Sequence, residues 1–163
     1  MVGRVVPALL AVATLLAGPL AVRVAGARGM GDCEQKVPAE ADRVFERVAA
    51  AFRKRQATGV ADAVEPTKGG RVYLSLTGID AGPYTREQAA ELLAGTYFEG
   101  RTIVSLQQAE GCTTGDDTRL TRTYRLTTQV GGKTVDGTLT ITVHKKKVDE
   151  RTSAWFLGSL KDV

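Results

Sequence analysis

A chain of 163 residues with 22 basic and 18 acidic side chains has the length of one domain and a formal charge of only +4. That excess argues against nucleic acid as a partner, since phosphate binding needs several cations clustered on one face. Two cysteines and one histidine, with no C-x-x-C pair, are too few ligands for a structural metal site, and no cofactor motif is present.

In chain order, Arg4 opens a short basic region. An apolar stretch follows from about Val5 to Val22 and ends at Ala25-Gly26-Ala27. This is the order of a secretory signal peptide over residues 1–27, cleaved before Arg28. The alternative is a retained membrane anchor, but Pro7 and Pro19 interrupt a stretch already near the lower limit for spanning. Cleavage removes Arg4 and Arg23 and no acid, leaving 20 basic against 18 acidic residues, a net +2. The expected destination is the periplasm or the medium, with no membrane attachment after cleavage. In that oxidising setting Cys33 and Cys112 are expected to pair as a disulfide. The bridge would close a loop of about 79 residues, worth ~4–5 kcal/mol in the chain-entropy model.

Residues 28–38 read as a polar lead-in to a single domain over 39–163. From Pro38 the spacing of Ala41, Val44, Phe45, Val48 and Phe52 predicts an amphipathic helix, ended by Gly59. A short second helix over Val60–Val64 is stopped by Pro66. Val72, Leu74 and Leu76 alternate with Tyr73, Ser75 and Thr77, predicting a half-buried strand. Gly82-Pro83 reads as a turn. Thr85 and Gln88 form a capping box for a helix carrying Ala89, Leu92, Leu93 and Tyr97 on one face, with Gly100 beyond its end. Four strands follow: "RTIVSLQQAE", "DTRLTRTYRLTTQV", "KTVDGTLTITVHK" and "RTSAWFLGSLKDV". Gly131-Gly132 is a hairpin signal, and the short connections make the strands antiparallel. The fold class is α+β, with helices packed on the concave face of a curved antiparallel sheet.

The order of elements resembles the nuclear transport factor 2-like superfamily, the cone-shaped fold shared with ketosteroid isomerases and polyketide cyclases. The likeness rests on Val44, Phe45, Val48 and Phe52, Gly59 with the Val60–Val64 helix, and the strand ending at Gly78. It continues through "GPYTREQAAELL", with Tyr84, Ala89 and Leu93, to the terminal "SAWFLGSLKDV". It extends over about 39–163 and comes nearest to small exported bacterial members of unknown function. It implies a pocket at the wide end of a cone, closed on one side by the helix after Thr85.

Enzymes of that superfamily carry an Asp base, or a His-Asp pair, inside the cone, with a Tyr or acid to hold an oxyanion; both groups must converge on one atom in a dry site. Here His144 falls on the outer strand parity, and so does Asp136. The outer face also carries Thr121, Thr123, Thr127, Thr134, Thr138, Thr140 and Thr142, and could pair two copies as a homodimer. Arg122 breaks the inner apolar parity of Leu120, Tyr124, Leu126 and Val130. A guanidinium there can hold an anion but cannot act as a base. The bland reading places Arg122 where the face is open. Arg122 is therefore the expected centre of any ligand site, with Tyr73, Tyr97, Tyr124 and Trp155 as cavity-lining aromatics; core packing accounts for the aromatics equally well. The expected function is a non-enzymatic exported module binding a small ligand, an anion among the candidates, or a partner protein. The alternative is an isomerase, dehydratase or cyclase using a pocket carboxylate and tyrosine, such as Asp80 with Tyr97. A third reading is an interaction domain whose cone is filled by side chains. Pocket volume separates that third reading from the first two. An acid facing a tyrosine hydroxyl favours the enzyme.

Overall fold

The computed structural model describes residues 36–109, 111 and 113–163. The signal peptide, most of the lead-in and the Cys33–Cys112 pair lie outside the described residues.

Helix α1 spans Ala39–Arg53 and buries Ala41, Val44, Phe45, Val48, Ala49 and Phe52, the stripe its spacing predicts. It stops at Arg53 rather than at Gly59. Arg55 takes the left-handed conformation (φ 56°), and Gln56 N–H donates to the Ala51 carbonyl at 2.9 Å. Gly59 instead lies inside α2, Ala57–Ala61. A Cβ there would sit 3.1 Å from the Ala51 Cβ, so Gly59 serves the close approach of α1 and α2.

Among the described residues, seven strands form one curved, unclosed sheet. They are β1 (Arg71–Ser75), β2 (Gly82–Thr85), β3 (Arg101–Gln108), β4 (Thr114–Gly115), β5 (Arg119–Val130), β6 (Lys133–Lys147) and β7 (Ser153–Asp162). The order is β2-β1-β7-β6-β5-β3, with β4 beside β5. The sheet is mixed, not wholly antiparallel: β1 runs parallel to β7. Connection length constrains only neighbours in sequence, and these two strands are the first and last. Gly82-Pro83 belongs to edge strand β2 rather than to a turn. Proline is tolerated there because an edge strand need not offer every N–H. Gly131 (φ 55°) and Gly132 (φ 79°) both take the left-handed conformation that a two-residue β5–β6 hairpin requires.

Helix α1 lies against β3, β6 and β7. The core between them comprises Phe45, Val48 and Phe52 with Leu74, Leu120, Leu139, Ile141, Leu157 and Leu160. Each such large side chain contributes about 1.5–3 kcal/mol on burial. Helix α3, Arg86–Leu92, starts on the complete Thr85/Gln88 capping box. Thr85→Ala should lower the unfolding free energy by about 1 kcal/mol in urea, because the Gln88 N–H loses the Thr85 hydroxyl that accepts it. A variant equal to the parent would mean that water replaces the cap at no cost. A single π-helical turn, Leu93–Tyr97, extends α3. Phe98 N–H reaches back five residues to the Leu93 carbonyl at 2.8 Å. The extra residue in the turn directs both Tyr97 and Phe98 into the core.

Candidate functional site

Strand β5 alternates Leu120, Arg122, Tyr124, Leu126 and Thr128 toward the helices. Arg122 is therefore inward-facing, and it is only 6% exposed. Its guanidinium is already occupied. Nη2 donates to Asp42 Oδ1 at 2.8 Å, Nη1 to Glu46 Oε1 at 3.4 Å and Nε to Thr113 Oγ1 at 3.0 Å. It also stacks 4.4 Å over the Phe45 ring. Asp42 and Glu46 stand one turn apart on α1, so one arginine fastens β5 to the helix and to the segment at Thr113. An anion at Arg122 would have to displace a carboxylate the chain itself supplies. Burial draws the Arg122 pKa down, but the bonds and charges of Asp42 and Tyr124 outweigh it and hold the pKa above its ordinary value.

Tyr124 is fully buried, and its hydroxyl makes no hydrogen bond of normal geometry. Burial pushes its pKa up, while the neighbouring Arg122 charge pulls the other way. A buried hydroxyl without a partner costs about 1–3 kcal/mol. Tyr124→Phe should therefore leave stability unchanged or raise it by up to ~1 kcal/mol, read from urea midpoints. A loss above ~1 kcal/mol would mean that the Arg122 contact to this oxygen is a working bond.

The second cluster closes the open end of the inner face. Along β7, Trp155 and Leu157 point inward; the register then slips opposite Thr142 and Val143, and Leu160 and Asp162 take over the inner face. Asp162 Oδ2 accepts the Tyr97 hydroxyl at 2.9 Å, and Oδ1 accepts Thr77 N–H at 2.7 Å and Thr77 O–H at 3.2 Å. Arg101 lies 3.7 Å from Asp162 and 4.1 Å over the Tyr97 ring. Burial, then the Asp162 charge, pushes the Tyr97 pKa far up. The hollow left beside this group, bounded by Leu126, Thr128, Val135 and Gly137, holds only about 70 Å³. The tyrosine thus meets Asp162 and not Asp80. Asp80 is exposed, and its carbonyl accepts the Tyr84 hydroxyl at 2.6 Å.

Of the other expected aromatics, Trp155 is buried in the core and Tyr73 is 47% exposed on the outer sheet face. His144 lies on that outer face as its parity requires, yet it is half-buried rather than free. Its ring packs on Gly158, where a Cβ would come within 2.4 Å of Nδ1. Beside it runs a shallow trough of about 350 Å³ lined by Tyr73, Arg119, Thr142, His144, Gly158 and Ser159. Burial, then Lys146, depresses the His144 pKa; Arg119 adds to this and Glu65 opposes it.

No family model and no curated protein matches the chain. Solved structures do. A candidate dehydratase of the nuclear transport factor 2-like family from Streptomyces avermitilis aligns with TM-score 0.54 at 11% identity, over 76% of this chain and 92% of its own. A protein of unknown function from Mycobacterium tuberculosis aligns with TM-score 0.52 at 9% identity, over 75% and 72%. A ketosteroid isomerase-like protein from Erwinia carotovora atroseptica aligns with TM-score 0.51 at 13% identity, over 76% and 92%. With helices on one face of a curved sheet in the same arrangement, this chain has the nuclear transport factor 2-like fold.

Proposed function

We propose that this protein is an exported, non-enzymatic module that binds a partner protein, with a cone too full to admit a small ligand. The observation that supports this reading is volume. Phe45, Phe52, Leu93, Tyr97 and Tyr124 occupy the space between helices and sheet, and the hollow at the mouth is about 70 Å³. That is room for a few waters, whereas ligand sites typically enclose about 300–1,000 Å³. The test is a thermal-shift screen of cone-sized apolar ketones and carboxylic acids at millimolar concentration. A ligand at 100 times its Kd adds about 2.7 kcal/mol of stability, so binding would be plain. No rise in Tm is expected; a saturable rise would overturn the reading.

One contact favours the enzyme alternative: the Tyr97 hydroxyl donates to Asp162 at the mouth. However, acid–base chemistry needs the two groups to face a substrate from different directions, and here they face each other. Deuterium exchange from an enolisable ketone in D₂O should equal the protein-free rate. Exchange lost in Asp162→Asn would restore the enzyme reading.

A further inference from the structure

The outer sheet face is cationic. Arg71, Arg119, Arg125, Lys146 and Lys161 stand on its parity with one strand carboxylate among the described residues, Asp136, which already accepts the Thr127 hydroxyl at 2.7 Å. Two copies meeting through this face would oppose like charges, which argues against self-pairing and for an acidic partner. Within the face, the trough gathers donors. The Arg119 guanidinium is exposed and has no ion pair to a described residue. Thr142 and Thr121 share one hydrogen bond at 3.1 Å, which leaves the pair a second O–H to donate. Ser159 offers a hydroxyl and Tyr73 a ring and hydroxyl at the rim. Gly158 has no side chain, and the His144 ring lies over it as part of the trough lining, where the β6–β7 register slips.

Resting on the protein-partner reading above, we propose that this trough seats a carboxylate side chain from an acidic segment of the partner. Arg119 forms the ion pair, and His144, Ser159 and the Thr142–Thr121 pair surround it. The charged groups facing the imidazole are Arg119 on β5, Lys146 on β6 and Glu65 from the loop before β1; Tyr73 of β1 is the other titratable group at the trough. Of the two cations Lys146 is already paired with Glu65, so Arg119 is the one to which an incoming carboxylate would be the missing partner. Glu65 is held by Lys146 at 2.5 Å and does not compete.

His144 is the sole histidine of the chain, so its imidazole proton signals report this site without assignment by mutation. The probe is an acetylated, amidated hexaglutamate peptide at low salt, followed by proton NMR and by anisotropy of a labelled copy. The expected results are a raised His144 pKa in the complex and binding at least tenfold tighter than to hexaglutamine. Binding should also be a few-fold tighter at pH 6 than at pH 8, lose that pH dependence in His144→Gln, and fall about tenfold in Arg119→Gln and measurably in Ser159→Ala. Arg119 is on the surface, so an unchanged Tm will certify the folded variant. Equal binding of a hexathymidylate strand would overturn the proposal as unspecific charge attraction, and an equal effect of acetate alone would overturn the peptide source. A signal that responds to protein concentration but not to peptide would make the face a second-copy interface, and this too overturns it. Absence of peptide binding sinks the trough as a site while a partner elsewhere remains open. A small molecule seated in the cone sinks the underlying reading whatever the peptide does.

Discussion

Arg122→Ala is expected to lower the unfolding free energy by about 3 kcal/mol, and Tm by on the order of 10 °C. Removing one member of a buried ion pair costs about 3–5 kcal/mol when the remaining charge is stranded. Here the stranded groups are Asp42 and Glu46, whose side chains are 51% and 55% exposed and return to water, which draws the figure to the low end. What is lost outright is the stack on Phe45, the bond to Thr113 and the volume of a side chain that is 6% exposed. Arg122→Met keeps most of that volume and should cost about half as much. Asp42→Ala should cost no more than about 1 kcal/mol, because Glu46 and solvent remain for the guanidinium. Urea unfolding of the three variants checks the order. The ligand-site expectation for Arg122 makes the opposite forecast, an intact fold with binding lost. Arg122→Ala within ~0.5 kcal/mol of the parent would favour it.

Asp162→Ala carries the second large effect, about 2–4 kcal/mol, since three donors lose their acceptor and the Tyr97 hydroxyl is left buried alone. Asp162→Asn keeps one acceptor oxygen and should lose about half as much. The same cluster sets the alkaline limit. The folded pKa of Tyr97 lies above its unfolded value near 10, and that of Tyr124 is also raised. Between the unfolded and folded values the native state holds more protons than the unfolded state. The stability they contribute is complete below pH ~10 and falls as pH rises beyond it. Tyr97→Phe should flatten that decline. Phenolate absorbance from Tyr97 should appear only together with loss of the fold. Its appearance in the folded protein at pH ~11 would contradict the closed mouth.

Helix α1, the Thr85 cap, the β5–β6 hairpin and the inward parity of Arg122 were legible because each depends on residues near in sequence. The partners of Arg122 were half legible. Asp42 and Glu46 read as charges suited to a helix start, but their four-residue spacing also makes one acidic face, and which strand that face meets is a tertiary fact. Asp162 was hidden by a change of phase: Trp155 and Leu157 are odd, Leu160 and Asp162 even, with Gly158 between them. Strict alternation sends Asp162 outward, and only the irregularity at Gly158 brings it to Tyr97. The same glycine explains why His144 is half-buried, since its ring occupies the place of a missing side chain. That β1 pairs with β7 could not be read locally, as the two strands are separated by nearly the whole domain.

The most direct measurement is a methyl NMR titration with a flat, steroid-sized apolar ketone, observing the inward Leu93, Leu126 and Leu160 together with the outer-face amides of Tyr73, Thr142 and Ser159. A closed cone predicts no saturable shift of the three leucine methyls up to millimolar ketone. Saturable shifts of those methyls, with the Tyr97 and Thr77 signals moving alongside, would mean that the mouth opens and that ligand binding or catalysis belongs inside the cone.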